Sequence, residues 1–364
     1  MIEEDKFLYK VVEKYDSKSR FLSKFNPNTG FYMRSGVLDE NGKDTGIDPF
    51  MVSYPELIDI GIMERCVCAS KCKVDCYQRA CDRTGDNMSL SDFKSIINES
   101  KGKVFQVALG GAGDPDTHEH FKEILEICAE ANIVPNFTTS GIALTDDKVA
   151  LCKKYCGAVA VSEHFADYTD RAVEKLLMAG VKTNIHYVLS KKTIKQATEI
   201  LRTGQYRDGI NAVVFLLYKP VGLGKLENVL SADDKEVKEF FDAFDNRECA
   251  FKIGFDSCSC SGLINFSKKF NRDFIDFCEG ARFSMYISAN MVAMPCSFAN
   301  QDKYWHVQLS KDYNIQDAWN SEVFNRFRNR LRNSCAGCKD RQYCSGGCPL
   351  MSSVALCSRK ERTV

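Results

Sequence analysis

The sequence has no excess of charge of either sign and no long apolar run. Its 49 basic residues equal its 49 acidic residues, so the formal net charge is zero. This balance argues against nucleic acid as a partner, because proteins that bind phosphates present a positive surface. No stretch reaches the roughly 20 apolar residues that cross a bilayer, and the charged start MIEEDKFLYK lacks the apolar core of a secretion signal. We therefore expect a cytoplasmic protein that binds neither nucleic acid nor membrane.

Cysteine, in contrast, is abundant, with 18 residues in a chain of 364. Thiols stay reduced in the cytosol, where disulfides are rare. Cysteine-rich disulfide scaffolds are small secreted chains, whereas this chain is long enough to bury a large core. We therefore expect the cysteines to be mainly metal ligands.

Apolar β-like runs alternate with amphipathic helical runs from about residue 55 to residue 255, which predicts a parallel sheet with crossover helices. The predicted strands are Leu57–Met63, Lys103–Gly110, Ile133–Thr139, Ala158–Ser162, Lys182–Leu189, Ala212–Tyr218 and Ala250–Phe255. A barrel and an open doubly wound sheet both fit this pattern. In either fold, ligands bind where the strands end. We expect an N-terminal extension over 1–52, the α/β domain over 53–256 and a metal-organised domain over 257–364.

The first cysteine group follows the first predicted α/β strand and contains Cys66, Cys68, Cys72 and Cys76. Soft thiolates select iron–sulfur clusters, Zn or Cu(I). A cysteine loop in this position that ends in Cys76-Tyr77 resembles the cluster loop of the radical S-adenosylmethionine (SAM) superfamily, Cys-x3-Cys-x2-Cys. The resemblance implies that three thiolates hold a 4Fe-4S cluster whose open iron binds SAM. Cys72 and Cys76 are the first choices, Cys68 is the third, and Cys66 is its competitor.

A glycine-rich loop follows the second strand and includes Gly110, Gly111 and Asp114. It resembles the Gly-Gly-Glu-Pro motif of the same superfamily, with an insertion and with Asp in place of Glu. The resemblance implies that these residues bind the SAM ammonium group. It also implies SAM contacts from other polar residues near the strands and from the cluster loop, namely Thr139, Ser140, Ser162, Asn184 and Tyr77.

The sharpest motif is the C-terminal run Cys335-x2-Cys338-x5-Cys344-x3-Cys348, with Cys357 after it. Alone, it fits a zinc site. In this context it resembles the SPASM domain, whose form implies two auxiliary 4Fe-4S clusters and hence three clusters in total. One set would contain Cys278, Cys296 and Cys348, with Cys258 or Cys260 as the fourth ligand. The other set would contain Cys335, Cys338, Cys344 and Cys357.

Together, these resemblances imply a partial (β/α)6 TIM-like barrel with a C-terminal iron–sulfur SPASM domain. SPASM enzymes mostly modify peptides, so we expect a maturase that oxidises a ribosomal precursor peptide and forms a thioether or related cross-link. A flavodoxin or ferredoxin would supply electrons. The alternatives are a formylglycine-forming maturase of the sulfatase type, a peptide epimerase and, more distantly, a zinc-ribbon binding protein.

Overall fold

The computed structural model describes residues 6–72 and 74–358. Its N-terminal part contains an antiparallel sheet of strands β1 (Val12–Asp16), β2 (Phe21–Asn26) and β3 (Phe31–Arg34). The buried Phe25 ring lies 5.7 Å from the ring of Phe105, and the buried Phe21 ring lies 6.4 Å from that of Phe283. The small sheet is therefore anchored by aromatic contacts to the main body of the protein.

The main body is built on seven parallel strands connected by six helices. The strands are β4 (Leu57–Met63), β5 (Gln106–Gly111), β6 (Val134–Thr139), β7 (Val159–Ser162), β8 (Thr183–Leu189), β9 (Ala212–Leu217) and β10 (Lys252–Phe255). The helices are α1 (Leu90–Ser100), α2 (Phe121–Glu130), α3 (Asp146–Tyr155), α4 (Asp167–Met178), α5 (Ile194–Thr203) and α6 (Lys235–Asp245). Every predicted α/β strand is confirmed to within three residues at each end. The architecture is the predicted partial TIM-like barrel.

Local sequence signals account for these helices. Ser89 is the N-cap of α1, where its side chain accepts a hydrogen bond from the backbone N–H of Asp92, as expected for a serine in this position. The apolar residues that recur at helical spacing in α2, namely Phe121, Ile124, Leu125 and Cys128, are all buried, and Cys128 is completely inaccessible. Cys128 is therefore a core residue, as its helical spacing predicts.

The two faces of the parallel sheet differ in character. Residues in register on neighbouring strands point to the same face, and one face carries buried aliphatic side chains such as Ile58, Ile60 and Val107, which face the helices. We call the opposite face the polar face. It is formed by Asp59, Gln106, Asn136, Thr138, Ser162, Asn184 and His186.

The C-terminal part extends the same sheet. It contains α7 (Cys260–Phe266), β11 (Ser284–Ile287), β12 (Val292–Met294), β13 (Val307–Gln308), α8 (Ile315–Asn320), α9 (Glu322–Asn333) and α10 (Arg341–Cys344). Strand β11 pairs in parallel with β4, and β12 and β13 continue outward from it. The cysteine-rich region is thus joined to the edge of the barrel by backbone hydrogen bonds.

Among the described residues, no helix is long and apolar enough to cross a membrane.

Candidate active site

The cysteine loop directly follows β4, at the carboxyl end of that strand. Burial raises the pKa of the Cys66 thiol, and the neighbouring thiols of Cys72 and Cys76 raise it further. Burial and Cys76 likewise raise the pKa of Cys72. Each thiolate disfavours the ionisation of its neighbours, so a cationic metal centre bound between them stabilises their charged forms. The donor set of Cys66, Cys72 and Cys76 therefore suits a cluster with a thiophilic metal.

Cys68 is the most deeply buried of the four thiols. It is only 4% exposed, and the charge that acts on it most strongly is that of Asp114. Burial, followed by the charge of Asp114, raises the pKa of Cys68 to about 12. Asp114 therefore lies near both Cys68 and Cys66, because its charge raises the pKa of each thiol, while Cys66 also lies within the electrostatic reach of Cys72 and Cys76.

The glycine-rich loop packs directly against the cysteine loop. A Cβ atom at Gly113 would lie 2.5 Å from the carbonyl oxygen of Arg65, and one at Gly111 would lie 2.3 Å from that of Met63. The backbone N–H of Ala112 donates to the same Met63 carbonyl at 2.8 Å. Side chains at Gly111 and Gly113 would push the two loops apart, so glycine is required there. Gly110, in contrast, faces open space.

Two acidic residues connect the glycine-rich loop to the end of β6. The Asp114 carboxylate accepts hydrogen bonds from the backbone N–H of Ser140, at 2.9 Å, and from its hydroxyl group. Asp116, which is fully buried, accepts one from the Thr139 hydroxyl at 2.8 Å. Burial raises the pKa of both carboxyl groups. Sequence reasoning missed Asp116, although it lies two residues after Asp114 in the same loop.

The remaining residues predicted to bind the nucleotide are spread over the polar face. Ser162 ends β7 and is in register with His186, whose ring lies 3.2 Å from the Thr138 hydroxyl. Burial lowers the pKa of His186 to about 4, so the ring is neutral at pH 7. Asn184 lies apart from the cysteine loop, because it is near the amino end of β8, where its side-chain oxygen accepts from Asn211 at 2.7 Å.

Tyr77 connects the first cysteine loop to the cysteine-rich region. Its ring centroid lies 4.7 Å from that of Phe298, two residues after Cys296. The Tyr77 carbonyl accepts a hydrogen bond from the Gln301 side chain. Gly222 packs against the same segment, since a Cβ there would lie 2.3 Å from the Tyr77 carbonyl oxygen.

A buried ion pair lies beside this contact. The Lys219 ammonium group, which is 3% exposed, lies 2.8 Å from the Asp256 carboxylate and 4.4 Å from the centre of the Phe298 ring. Burial opposes its charge, but Asp256 and then the thiols of Cys258 and Cys348 favour it. Sequence reasoning missed Asp256, because it belongs to no cysteine motif.

The cysteines of the C-terminal region form two groups of neighbours. The Cys348 side chain and burial raise the pKa of Cys258, and Cys258 interacts electrostatically with Cys278 and Cys296. The Cys260 thiol instead donates a hydrogen bond to the Cys344 carbonyl oxygen at 3.9 Å, and the Cys344 side chain raises its pKa. The two cysteines that spacing left as alternatives thus have different principal neighbours, although both interact with Cys278.

Backbone N–H groups support the Cys344 sulfur. The Cys260 hydrogen bond lowers the pKa of Cys344 to about 7, and the N–H groups of Gly346 and Gly347 act in the same direction. Both glycines have positive φ, at 79° and 82°, a conformation that few other residues adopt. Hydrogen bonds to cluster sulfurs are one means by which proteins tune iron–sulfur centres.

The other C-terminal cysteines surround the same turn. A Cβ at Gly346 would lie 3.3 Å from the Cys335 sulfur, and the N–H of Cys338 donates to the Cys335 carbonyl at 2.9 Å. Cys357 is half-buried further along the chain. Within residues 6–72 and 74–358, no three Cys, His, Asp or Glu side chains meet closely enough to hold a single metal ion.

Comparison with known proteins places these observations in a family context. Residues 278–339 match the SPASM iron–sulfur cluster-binding domain. The chain is 24% identical over 295 residues to the mycofactocin maturase MftC of Mycolicibacterium smegmatis, covering 76% of this chain and 74% of MftC.

Two solved structures have the same fold. SuiB of Streptococcus suis bound to its precursor peptide SuiA superposes with a TM-score of 0.71 at 16% identity, covering 97% of this chain and all (100%) of that one. The enzyme anSMEcpe with bound AdoMet gives a TM-score of 0.57 at 18% identity, covering 81% of this chain and 89% of that one. The matched domain, the related maturase and the shared fold together support a radical SAM enzyme with a C-terminal SPASM domain.

Proposed function

We propose that this enzyme is a peptide maturase that uses SAM to oxidise a ribosomal precursor peptide and to form a thioether cross-link. One observation carries the proposal: the cysteine loop after β4 and the SPASM cysteine region meet at the Tyr77–Phe298 contact. The proposed site of radical formation, in the cysteine loop, and the proposed site of electron transfer, in the SPASM region, would then lie on either side of the polar face. The similarity to MftC and to the SuiB–SuiA complex supports a peptide as the substrate.

The first cluster is proposed to bind to Cys66, Cys72 and Cys76. The support is electrostatic, because Cys72 and Cys76 act on Cys66 and Cys76 acts on Cys72, whereas the charge that acts most strongly on Cys68 is that of Asp114. Three thiolates leave one iron of a 4Fe-4S cluster open, as catalytic metal centres require. When bound, the reduced cluster and SAM together supply a 5′-deoxyadenosyl radical.

Residues of the chain itself would orient the nucleotide. Asp114 carries a carboxylate at the edge of the cysteine loop, which suits the ammonium group of SAM. Ser140 holds that carboxylate in position through two hydrogen bonds. Gly111 and Gly113 let the two loops approach closely. We therefore propose a nucleotide site between the cysteine loop and the ends of β5 and β6.

The two auxiliary clusters are proposed to have four thiolates each. Cys258 completes the set of Cys278, Cys296 and Cys348, because it interacts with all three. The second set is Cys335, Cys338, Cys344 and Cys357, and Cys260 lies beside it as a hydrogen-bond donor to Cys344. A small electron carrier such as flavodoxin or ferredoxin would reduce the enzyme.

The proposal is tested by anaerobic co-expression with small Cys-containing open reading frames that lie beside the gene. We expect mass spectra in which one peptide loses two hydrogen atoms and one thiol no longer reacts with alkylating reagents. The double variant C72A/C76A should abolish this change. The matched control is C81A, since Cys81 is exposed and outside both cysteine groups.

The masses and stereochemistry of the products separate the alternatives. A formylglycine-forming maturase converts a Cys or Ser side chain to formylglycine and forms no cross-link. An epimerase leaves the peptide mass unchanged. If the wild-type enzyme forms 5′-deoxyadenosine with another substrate while every candidate peptide stays unmodified, the proposed function is wrong.

A further inference from the structure

Lys219 is a buried cation at the carboxyl edge of the parallel sheet. It lies two residues after the end of β9, and its ammonium group donates hydrogen bonds to the Asp256 carboxylate at 2.8 Å and to the Leu217 carbonyl oxygen at 2.9 Å. Its side chain is only 3% exposed. Asp256 directly follows β10, the strand that pairs with β9. Both charges therefore lie at the edge of the sheet where the proposed sites are found.

Fold stability is a weak explanation for this ion pair. Removing an ammonium group and a carboxylate from water is costly, and apolar side chains of similar size often stabilise a core equally well. Lysine is almost never fully buried unless it is paired. The buried charge of Lys219 therefore calls for an explanation besides stability.

The ammonium group lies beside the ligands that are proposed for the first auxiliary cluster. On one side, its partner Asp256 also accepts a hydrogen bond at 2.6 Å from Ser259, which directly follows Cys258. On the other side, the ammonium group lies 4.4 Å from the centre of the Phe298 ring, two residues after Cys296. These contacts fix the positive charge close to both segments that carry the thiols.

The two charges of the pair are not equally compensated. Both carboxylate oxygens of Asp256 accept a hydrogen bond, one from Ser259 and one from Lys219. The ammonium group has three N–H donors. Two of them bond to oxygen atoms, and the group also lies against the Phe298 ring, on the side of Cys296. The positive charge is therefore the less compensated of the two.

The thiols of the first auxiliary set respond to the pair as to a net positive charge. Burial and Cys258 raise the pKa of the Cys296 thiol, whereas Lys219 lowers it. The Cys348 side chain and burial are the largest causes of the raised pKa of Cys258. Lys219 opposes this rise, and its effect is larger than that of Asp256 in the other direction. The sign of the electrostatic effect thus agrees with the hydrogen-bond geometry.

A positive charge in this position changes the redox properties of a bound cluster. A 4Fe-4S cluster with four thiolates is an anion, and its reduction adds a further negative charge. Net charge and burial are among the factors that set its reduction potential. A buried cation is weakly screened, so it stabilises the reduced state more than the oxidised state.

We propose that the Lys219 ammonium group is a fixed positive charge that raises the reduction potential of the first auxiliary cluster and so makes it the electron acceptor in peptide oxidation. Lys219 is then a positioning residue, because it acts through the cluster and not on the peptide. The inference rests on the proposed function and on the ligand set proposed above.

The electron balance of cross-linking gives this charge a role. The 5′-deoxyadenosyl radical takes one hydrogen atom from a peptide C–H bond. When the peptide carbon then forms a C–S bond with a thiol, the thiol proton passes to solvent and one electron is released. The first auxiliary cluster takes up this electron, and a higher reduction potential favours the transfer.

The test measures the reduction potential of the first auxiliary cluster in the anoxic holoenzyme without peptide. A redox titration is followed by electron paramagnetic resonance, and the signal is identified as the one that C258A lacks. In K219M, the equilibrium constant for reduction should fall about tenfold, which is about 59 mV for a one-electron couple. K219R keeps the cation and should stay within about twofold of the wild type. The other two clusters are internal controls and should keep their potentials.

A double variant separates the electrostatic effect from an effect on folding. K219M leaves the Asp256 carboxylate enclosed without its cation, whereas K219M/D256N removes both charges and should keep its iron. Its equilibrium constant for reduction should still fall several-fold, because the ammonium group is the dominant charge at the cluster. The yield of modified peptide per 5′-deoxyadenosine should fall in both variants and stay near the wild-type value in K219R.

Each outcome decides a different claim. An unchanged reduction potential in K219M and K219M/D256N overturns the inference. Loss of the cluster from the double variant also overturns it, because Lys219 would then be structural. A lower potential with an unchanged product ratio overturns the role in electron acceptance. If the wild type modifies no peptide while K219M lowers the potential, the proposed function fails and the electrostatic effect of Lys219 stands.

Discussion

The ring of Tyr77 lies against the ring of Phe298, with 4.7 Å between centroids, so residues more than 200 positions apart join the two cysteine regions. Tyr77 directly follows Cys76, and Phe298 lies two residues after Cys296. An aromatic pair of this kind contributes about 1 kcal/mol beyond its buried area. We therefore regard it as the structural connection between the two proposed electron-transfer sites.

Replacing Phe298 tests this connection. F298A should keep the iron content but lower the yield of modified peptide per 5′-deoxyadenosine several-fold, because the ring holds the two cysteine regions in a fixed relative position. The measurement is the ratio of the two products by mass spectrometry. F298Y, which keeps the aromatic contact, serves as the matched control. An unchanged ratio in F298A would show that the contact only packs the interior.

The third ligand of the first cluster is tested by comparing C66A with C68A. We expect C66A to lose about four irons per chain, the content of one 4Fe-4S cluster, and to lose SAM cleavage, because one of the three ligating thiols is gone. C68A should keep both. Iron and sulfide analysis after anoxic reconstitution measures the difference. The opposite pattern would assign the site to Cys68, Cys72 and Cys76.

A second cysteine pair allows the same comparison in the SPASM region. C258A should lose one auxiliary cluster, since Cys258 interacts with Cys278, Cys296 and Cys348. C260A should keep its iron but change the electron paramagnetic resonance spectrum of the second auxiliary cluster, because Cys344 loses a hydrogen-bond donor. Loss of iron from C260A together with full retention in C258A would reverse the assignment.

The buried pair of Lys219 and Asp256 predicts a coupled effect on stability. K219M should destabilise the fold by about 3–5 kcal/mol, because it leaves the Asp256 carboxylate enclosed without its cation. The double variant K219M/D256N should recover much of this loss, since both charges are then removed. Denaturant unfolding of the holoenzyme under anoxic conditions measures both effects. Additive losses in the double variant would mean that the two residues act independently.

Asp59 predicts a pH dependence of stability. Its pKa in the folded protein, about 7, lies above the value of about 4 expected in the unfolded chain. The folded state therefore binds the extra proton between these values, and the wild type loses stability as the pH rises from about 4 through 7. D59N lacks this loss, so at pH 8 it should be more stable by up to about 4 kcal/mol. Equal stabilities at pH 8 would show that the carboxylate is well solvated.

Much of the fold follows from local sequence patterns. The seven α/β strands are predicted because each is a short apolar run bounded by helical segments, and the apolar stripe of α2 and the Ser89 cap are local sequence features of the same kind. The small N-terminal sheet was not predicted strand by strand. Its residues are stabilised by packing against Phe105 and Phe283, far away in sequence.

The candidate site also has a part that sequence patterns predict and a part that they do not. Cysteine spacing identified the two ligand regions, and the SPASM match confirms the domain for residues 278–339. Spacing could not separate Cys258 from Cys260, because both lie on one short segment and only their distant neighbours differ. Asp59, Asp116 and Asp256 were missed, since a single acid in an apolar strand or loop carries no motif.

The sequence by itself thus determined the alternating α/β pattern and the thiol-rich regions, because periodicity and cysteine spacing are local properties of the chain, and its resemblance to the radical SAM superfamily and the SPASM domain implied the rest. The tertiary structure alone decided which thiols are neighbours, that Tyr77 meets Phe298, and that Asp59 lies on the polar face. The physical reason is that burial and charge interactions depend on distances in space. Those distances are set only when β11 pairs with β4 and brings the two cysteine regions close to each other.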